Sequence, residues 1–77
     1  MSQITPKQYA SERGVSLQRV NAILKTIELL ESVDTPVNKA RLINYKQSLK
    51  TVGTGRPVES ITVTKIGRER LLTIEYV

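Results

Sequence analysis

A chain of 77 residues, with 39% hydrophobic and 25% charged residues, has the composition of one small globular domain and is too apolar for a wholly disordered one. It contains no cysteine, which excludes disulfides and thiolate chemistry and leads us to expect a reducing, cytoplasmic location. Twelve Lys and Arg against seven Asp and Glu give a net charge of +5, which favours a polyanionic partner.

The first predicted element is a short helix from Pro6 to Arg13. Thr5 is typical of an N-cap, and Pro6 suits the first helical position, where no amide donor is needed. Gln8 falls three residues after the cap, as a capping box requires. Gly14 then ends the helix as a left-handed cap.

A second helix is predicted to begin at once, with Ser16 as its N-cap, and to continue to about Glu31. Apolar residues recur along it at steps of three and four, the pattern of an amphipathic helix that packs one face: Leu17, Val20, Ile23, Leu24, Ile27 and Leu30. Its other face displays side chains of the types that reach base edges and phosphates in DNA: Gln18, Arg19, Asn21 and Lys25.

The run PKQYASERGVSLQRVNAIL, residues 6–24, resembles the helix-turn-helix of small bacterial and phage regulators, especially excisionase-like and MerR-like domains. Ala10 stands where that family has a small residue between its two helices, and Gly14 where it has a left-handed turn. The resemblance covers only about residues 6–25, and Leu17 departs from it because an exposed polar residue is commoner there. It implies that DNA is contacted by Ser16, Gln18, Arg19, Asn21 and Lys25. The alternative for this segment is a helical hairpin that merely packs.

Residues 36–50 are predicted to form a third helix. Thr35 and Pro36 repeat the N-cap threonine and first-turn proline of the first helix, and apolar residues follow at helical steps. A strand stays open as the alternative, since three residues of the segment suit one: Val37, Ile43 and Tyr45. Glycine and proline then indicate a short flexible loop. No acidic residue occurs from 35 to 58, and we expect the basic residues of that segment to contact phosphates: Lys39, Arg41, Lys46, Lys50 and Arg56.

A β-hairpin is predicted over residues 59–77. Two runs of alternating apolar and polar residues, both rich in β-branched residues, are separated by Gly67-Arg-Glu-Arg, which is typical of a four-residue hairpin loop. Its tip would present Arg68 and Arg70 to DNA, as the wing of a winged helix-turn-helix does. The predicted fold class is therefore α+β: one small helix-turn-helix domain, residues 1–77, with a C-terminal β-hairpin.

Catalytic and membrane functions find no support in the sequence. The chain has no His, and its carboxylates are scattered without the spacing of an acid/base pair or a metal cluster. We expect no enzyme, no metal and no cofactor. No apolar run is long enough to span a bilayer, and residues 1–5 lack the features of a signal peptide, so no membrane association is expected.

The sequence thus predicts specific binding of duplex DNA, in transcription control or in phage or plasmid recombination. Because one short recognition helix reads few base pairs, we expect a homodimer or a cooperative array on DNA. RNA is the weaker partner, since RNA modules rely on aromatic platforms and this chain has three Tyr but no Phe or Trp. The alternative is a small protein-interaction or oligomerising factor that regulates another protein through Leu17, Leu29 and Val33.

Overall fold

The computed structural model describes residues 2–77, which form three helices and one antiparallel sheet of three strands. In chain order these elements are β1 (Ser2–Ile4), α1 (Pro6–Arg13), α2 (Leu17–Ser32), α3 (Pro36–Thr51), β2 (Val58–Ile66) and β3 (Glu69–Tyr76). This is the α+β class that was predicted, and the arrangement is compatible with a helix-turn-helix that carries a β-hairpin wing. Within residues 2–77, no helix combines the length and the apolar character needed to cross a membrane.

Local capping explains where each helix begins. The Thr5 hydroxyl accepts a hydrogen bond from the Gln8 amide at 3.2 Å, and the Gln8 side chain accepts one from the Thr5 amide at 2.9 Å, so the capping box of α1 is complete. Ser16 and Thr35 accept the equivalent bond at the starts of α2 and α3. Gly14, with φ +65°, provides the left-handed end of α1.

Residues 36–51 are helical, which confirms the predicted third helix and shows that the strand alternative was wrong. Leu42 and Leu49 lie seven residues apart, about two helical turns, and both pack on the core. The residues that suggested a strand are instead exposed on α3, where their side chains do not pack in the core: Val37, Ile43 and Tyr45.

The sheet has the order β1-β3-β2, with β3 in the centre. Val63 pairs with Leu72 and Ile61 with Ile74, so the alternating apolar residues share one side of the sheet as predicted. β1 was not predicted, because three residues are too few to show an alternating pattern. It forms where Ile4 pairs with Leu72 along the other edge of β3.

The hairpin turn consists of two residues, Gly67 and Arg68, and the predicted four-residue loop was wrong. The ladder continues past the pair Lys65–Arg70 up to this turn. Gly67 has φ +61°, and glycine at the first position of a two-residue turn matches the twist of the flanking strands. Arg70 therefore lies within β3 and not at the tip of the hairpin.

The core lies between the three helices and the inner side of the sheet. Its buried residues are Tyr9, Ala10, Val20, Leu24, Ile27, Leu49, Val52, Leu72 and Ile74. Three of these belong to α2, so burial fixes the rotation of that helix and decides which of its other side chains point outward.

Polar bonds join α1 to the end of α3 and the segment after it. Arg13 is only 6% exposed, and its guanidinium donates hydrogen bonds to the backbone carbonyls of Lys50, Val52 and Arg56. The buried Tyr9 hydroxyl donates to the carbonyl of Leu49 at 2.6 Å. As far as the described residues extend, every buried side-chain nitrogen and oxygen has a hydrogen-bond partner.

Candidate nucleic-acid interface

A groove of about 400 Å³ lies between the start of α1, the first turns of α2 and the hairpin turn. We call it the hairpin groove, and its polar lining consists of Thr5, Lys7, Asn21, Arg68, Glu69 and Arg70. Cations from two separate parts of the chain thus border one concave surface beside an amide side chain. This combination suits a polyanion that also presents hydrogen-bonding edges.

The outward residues of α2 divide into two groups. Successive helical residues are about 100° apart around the axis, so Gln18, Asn21 and Lys25 fall within about 60° of one another. We call these three residues the reading side of α2. Asn21 lines the hairpin groove, and Lys25 lines an adjoining groove together with Arg70.

Two other residues predicted to contact DNA from α2 occupy different positions. Arg19 lies about 160° around the helix from Asn21, so it does not stand beside the reading side as the resemblance implied. Ser16 precedes the helix, and its hydroxyl accepts the amide hydrogen of Arg19 at 3.2 Å. Ser16 therefore has a capping role whether or not it also contacts a ligand.

Glu28 connects α2 to the hairpin. Its Oε1 accepts a hydrogen bond from Lys65 Nζ at 2.8 Å, and its Oε2 accepts from Arg70 Nε at 3.0 Å and Nη2 at 2.5 Å. These bonds from Lys65 and Arg70 lower the pKa of Glu28 to about 2, well below its ordinary value. The carboxylate is therefore ionised throughout the physiological pH range, and Arg70 is held against α2 instead of projecting into solvent.

The basic residues of α3 lie away from the hairpin groove. Lys46 pairs with Glu31 at 3.6 Å, and Glu31 is ten residues beyond Asn21 on α2, or about 15 Å along the axis. Lys39 pairs with Asp34 at 3.5 Å. Lys50 is half-buried on the same flank of α3 as these lysines, whereas Arg41 is exposed on the opposite flank.

Arg56 lies at the far end of the sheet from the hairpin turn. Its guanidinium carbon stands 4.4 Å from the centre of the Tyr76 ring, a cation–π contact. Tyr76 is eight residues after Arg68, so these two positions are about 25 Å apart along an extended strand. The five basic residues of segment 35–58 consequently do not form one surface with the hairpin groove.

Three residues of this region were missed by sequence reasoning: Lys7, Glu28 as a partner of the hairpin, and Lys65. Lys7 follows Pro6 in the first turn of α1, and its exposed charge next to a predicted DNA-binding helix could have indicated it. Glu28 is 37 and 42 residues from its two partners. No local pattern indicates contacts at that separation.

The part of the chain that the structure describes contains no group of three or more His, Cys, Asp or Glu that could hold a metal ion. Comparisons with protein-family models, curated proteins and solved structures found no match to this chain. The resemblance of residues 6–25 to excisionase-like and MerR-like regulators therefore stays a prediction.

Proposed function

We propose that this chain is a binding protein for duplex DNA and not an enzyme, with α2 in the major groove and the hairpin turn beside the phosphate backbone. The observation that carries the proposal is the hairpin groove, which Asn21 on α2 lines together with Lys7 on α1 and Arg68 on the turn. The major groove is about 12 Å wide and accepts an α-helix. A net charge of +5 adds attraction for any duplex.

In this proposal the reading side of α2 recognises bases. One Asn or Gln side chain can form two hydrogen bonds with adenine, to N6 and N7, and we assign this contact to Asn21 and Gln18. Lys25 can donate to the acceptor atoms of guanine. Leu17 is 39% exposed and lines the groove, so it can contact a thymine methyl group.

Phosphates are assigned to Lys7 and Arg68, which line the hairpin groove together with Asn21. Backbone contacts of this kind position a protein without reading sequence. For the basic residues outside the groove we propose long-range attraction of the duplex, not direct contact: Arg19, Lys39, Arg41, Lys46, Lys50 and Arg56. We further propose a role in transcription control or recombination, as a homodimer or a cooperative array.

A protein-interaction factor is the second candidate, because four large apolar side chains around the end of α2 and on α3 are more than half exposed: Leu29, Val33, Val37 and Ile43. An interaction factor of this kind has only the weak attraction to any duplex that the net charge gives, without preference for a selected sequence. Titrations of a selected and a random labelled duplex across a range of salt concentrations therefore separate the two candidates, because only a DNA-binding protein prefers the selected duplex.

Replacing Gln18 or Asn21 by alanine is expected to cost about 1 to 3 kcal/mol on a cognate duplex selected from a random pool, because each change removes hydrogen bonds to base edges. Affinity for random duplexes should change little. Fluorescence anisotropy with both duplexes gives the two values.

The matched controls are Gln47→Ala and Asn44→Ala, which remove the same residue types from exposed positions on α3. These variants should bind both duplexes as the unmodified chain does. Equal losses on cognate and random duplexes for the α2 variants would contradict a base-reading role.

Replacing Arg68 by alanine is expected to lower the slope of log affinity against log salt by about 0.9, the value for one phosphate contact. Arg68 is exposed at the hairpin turn, and no ion pair found among residues 2–77 includes it. The loss should be equal for all duplexes, because phosphates carry no sequence information. Arg68→Lys keeps the charge and should keep the slope, whereas an unchanged slope for Arg68→Ala would show that the turn does not touch DNA.

A further inference from the structure

Two cations face each other at the turn end of the hairpin. Lys65 on β2 and Arg70 on β3 are direct register partners in the antiparallel ladder. Like charges at directly opposed positions destabilise a strand pair. The ladder nevertheless continues past this pair to the turn, and an anion in contact with both cations would offset their repulsion.

Glu28 provides that anion from outside the sheet. One carboxylate oxygen accepts from Lys65 and the other from Arg70, so both cations are bonded by a single group. Its side chain is 43% exposed, against 50% for Lys65 and 26% for Arg70. A charge-assisted network of three groups is a firmer connection than an isolated surface ion pair.

This Glu28 cluster, made of Glu28, Lys65 and Arg70, adjoins the proposed reading side. Glu28 lies seven residues after Asn21, which places it two turns further along α2 and within about 20° of the same direction. Arg70 lines both the hairpin groove and the adjoining groove. The cluster therefore fixes the separation between α2 and the turn that carries Arg68.

We infer that Glu28 is a specificity-determining residue for the proposed DNA binding, acting by position and not by touching bases. It holds the hairpin at one distance from α2, and it engages two cations that would otherwise bind phosphates of any sequence. The inference rests on the proposed function, and it assigns to an acidic residue a role that favours selective binding of an anionic ligand.

The test compares Glu28→Gln with Glu31→Gln. Both changes remove one negative charge from α2, but the ion pair of Glu31 is with the exposed Lys46 on α3, at 3.6 Å, and not with the hairpin. Release of Lys65 and Arg70 should raise the salt slope on random duplex by about 1 to 2 units relative to the control, from roughly 0.9 for each additional phosphate. A rise of that size increases the gain in random-duplex affinity between 0.2 M and 0.05 M salt by about fourfold to sixteenfold. The ratio of cognate to random affinity should fall accordingly.

A second variant tests the same cluster if Glu28→Gln does not fold. Because Glu28 already engages Arg70, Arg70→Gln should leave the salt slope of the otherwise unmodified chain nearly unchanged. Loss of about 0.9 units in that variant would show that Arg70 binds phosphate directly and would overturn the inference.

The outcomes separate this inference from the proposed function. Duplex binding by the unmodified chain, with equal slopes for Glu28→Gln and Glu31→Gln, would overturn the role of Glu28 and leave DNA binding in place. Absence of duplex binding by the unmodified chain would overturn both. A steeper slope and a lower specificity ratio for Glu28→Gln alone would support both.

Discussion

Replacing Gly53 by alanine is expected to destabilise the protein by about 2 to 5 kcal/mol, the largest stability loss among the proposed variants. Gly53 has φ +65°, and a Cβ atom at this position would overlap the carbonyl oxygen of Arg13 and crowd Val15. The left-handed conformation costs a residue with a Cβ about 1 to 2 kcal/mol, and overpacking adds about 1 to 3 kcal/mol. The same carbonyl accepts a hydrogen bond from the Thr54 amide at 2.9 Å, which the displacement would break.

Gly67→Ala is the matched control for this prediction. Gly67 has φ +61°, nearly the same backbone conformation, but a Cβ there meets no atom of the described residues within 4 Å. Its cost should therefore be the conformational penalty alone, about 1 to 2 kcal/mol. Urea denaturation measures both variants, and equal midpoints would show that the close approach of Gly53 to α1 does not contribute to stability.

Replacing Arg13 by methionine is expected to cost about 2 to 4 kcal/mol of unfolding free energy, the second largest effect. Methionine keeps most of the apolar length of the side chain but leaves three carbonyls without the donor they now share: Lys50, Val52 and Arg56. Hydrogen bonds to a charged group are each worth about 1.5 to 3 kcal/mol, and bonds from one guanidinium are not additive.

The control for Arg13→Met is Arg19→Met, since Arg19 is exposed and its change should alter stability by about 0.5 kcal/mol or less. Chemical denaturation gives both values. Equal stability of the two variants would contradict the role assigned to Arg13. Under conditions where it is folded, Arg13→Met should still discriminate cognate from random duplexes, because the segment it supports lies outside the hairpin groove.

The helices were predictable because their signals are local. Thr5, Ser16 and Thr35 each cap a helix through an amide three residues ahead, and such contacts are visible in the order of residues. The outward direction of Asn21 follows equally from helical spacing. The alternating apolar residues of β2 and β3 predicted the hairpin in the same way. The length of its turn was not predictable, because it depends on how far the strand pairing extends beyond Lys65.

The contacts that position the hairpin were not predictable, because they join residues far apart in the chain. From its charge and its place next to Gly67-Arg-Glu, Arg70 was predicted to be an exposed turn residue. Only the structure shows that its guanidinium donates hydrogen bonds to Glu28 on α2. Gly53 lies in a segment whose composition suggests flexibility, yet it packs closely against the end of α1. Arg13 likewise looks like an ordinary charged residue at a helix end until its burial is known.

Salt-dependent binding of a selected duplex by the unmodified chain tests the central claim most directly. If Lys7 and Arg68 contact phosphates from the hairpin groove, log affinity should fall with log salt with a slope of about 1.8, from roughly 0.9 per phosphate contact. A random duplex should bind more weakly but with a slope of similar size, since phosphate contacts do not depend on sequence. No binding to any duplex at about 0.05 M salt, or binding that does not change with salt, would contradict the account.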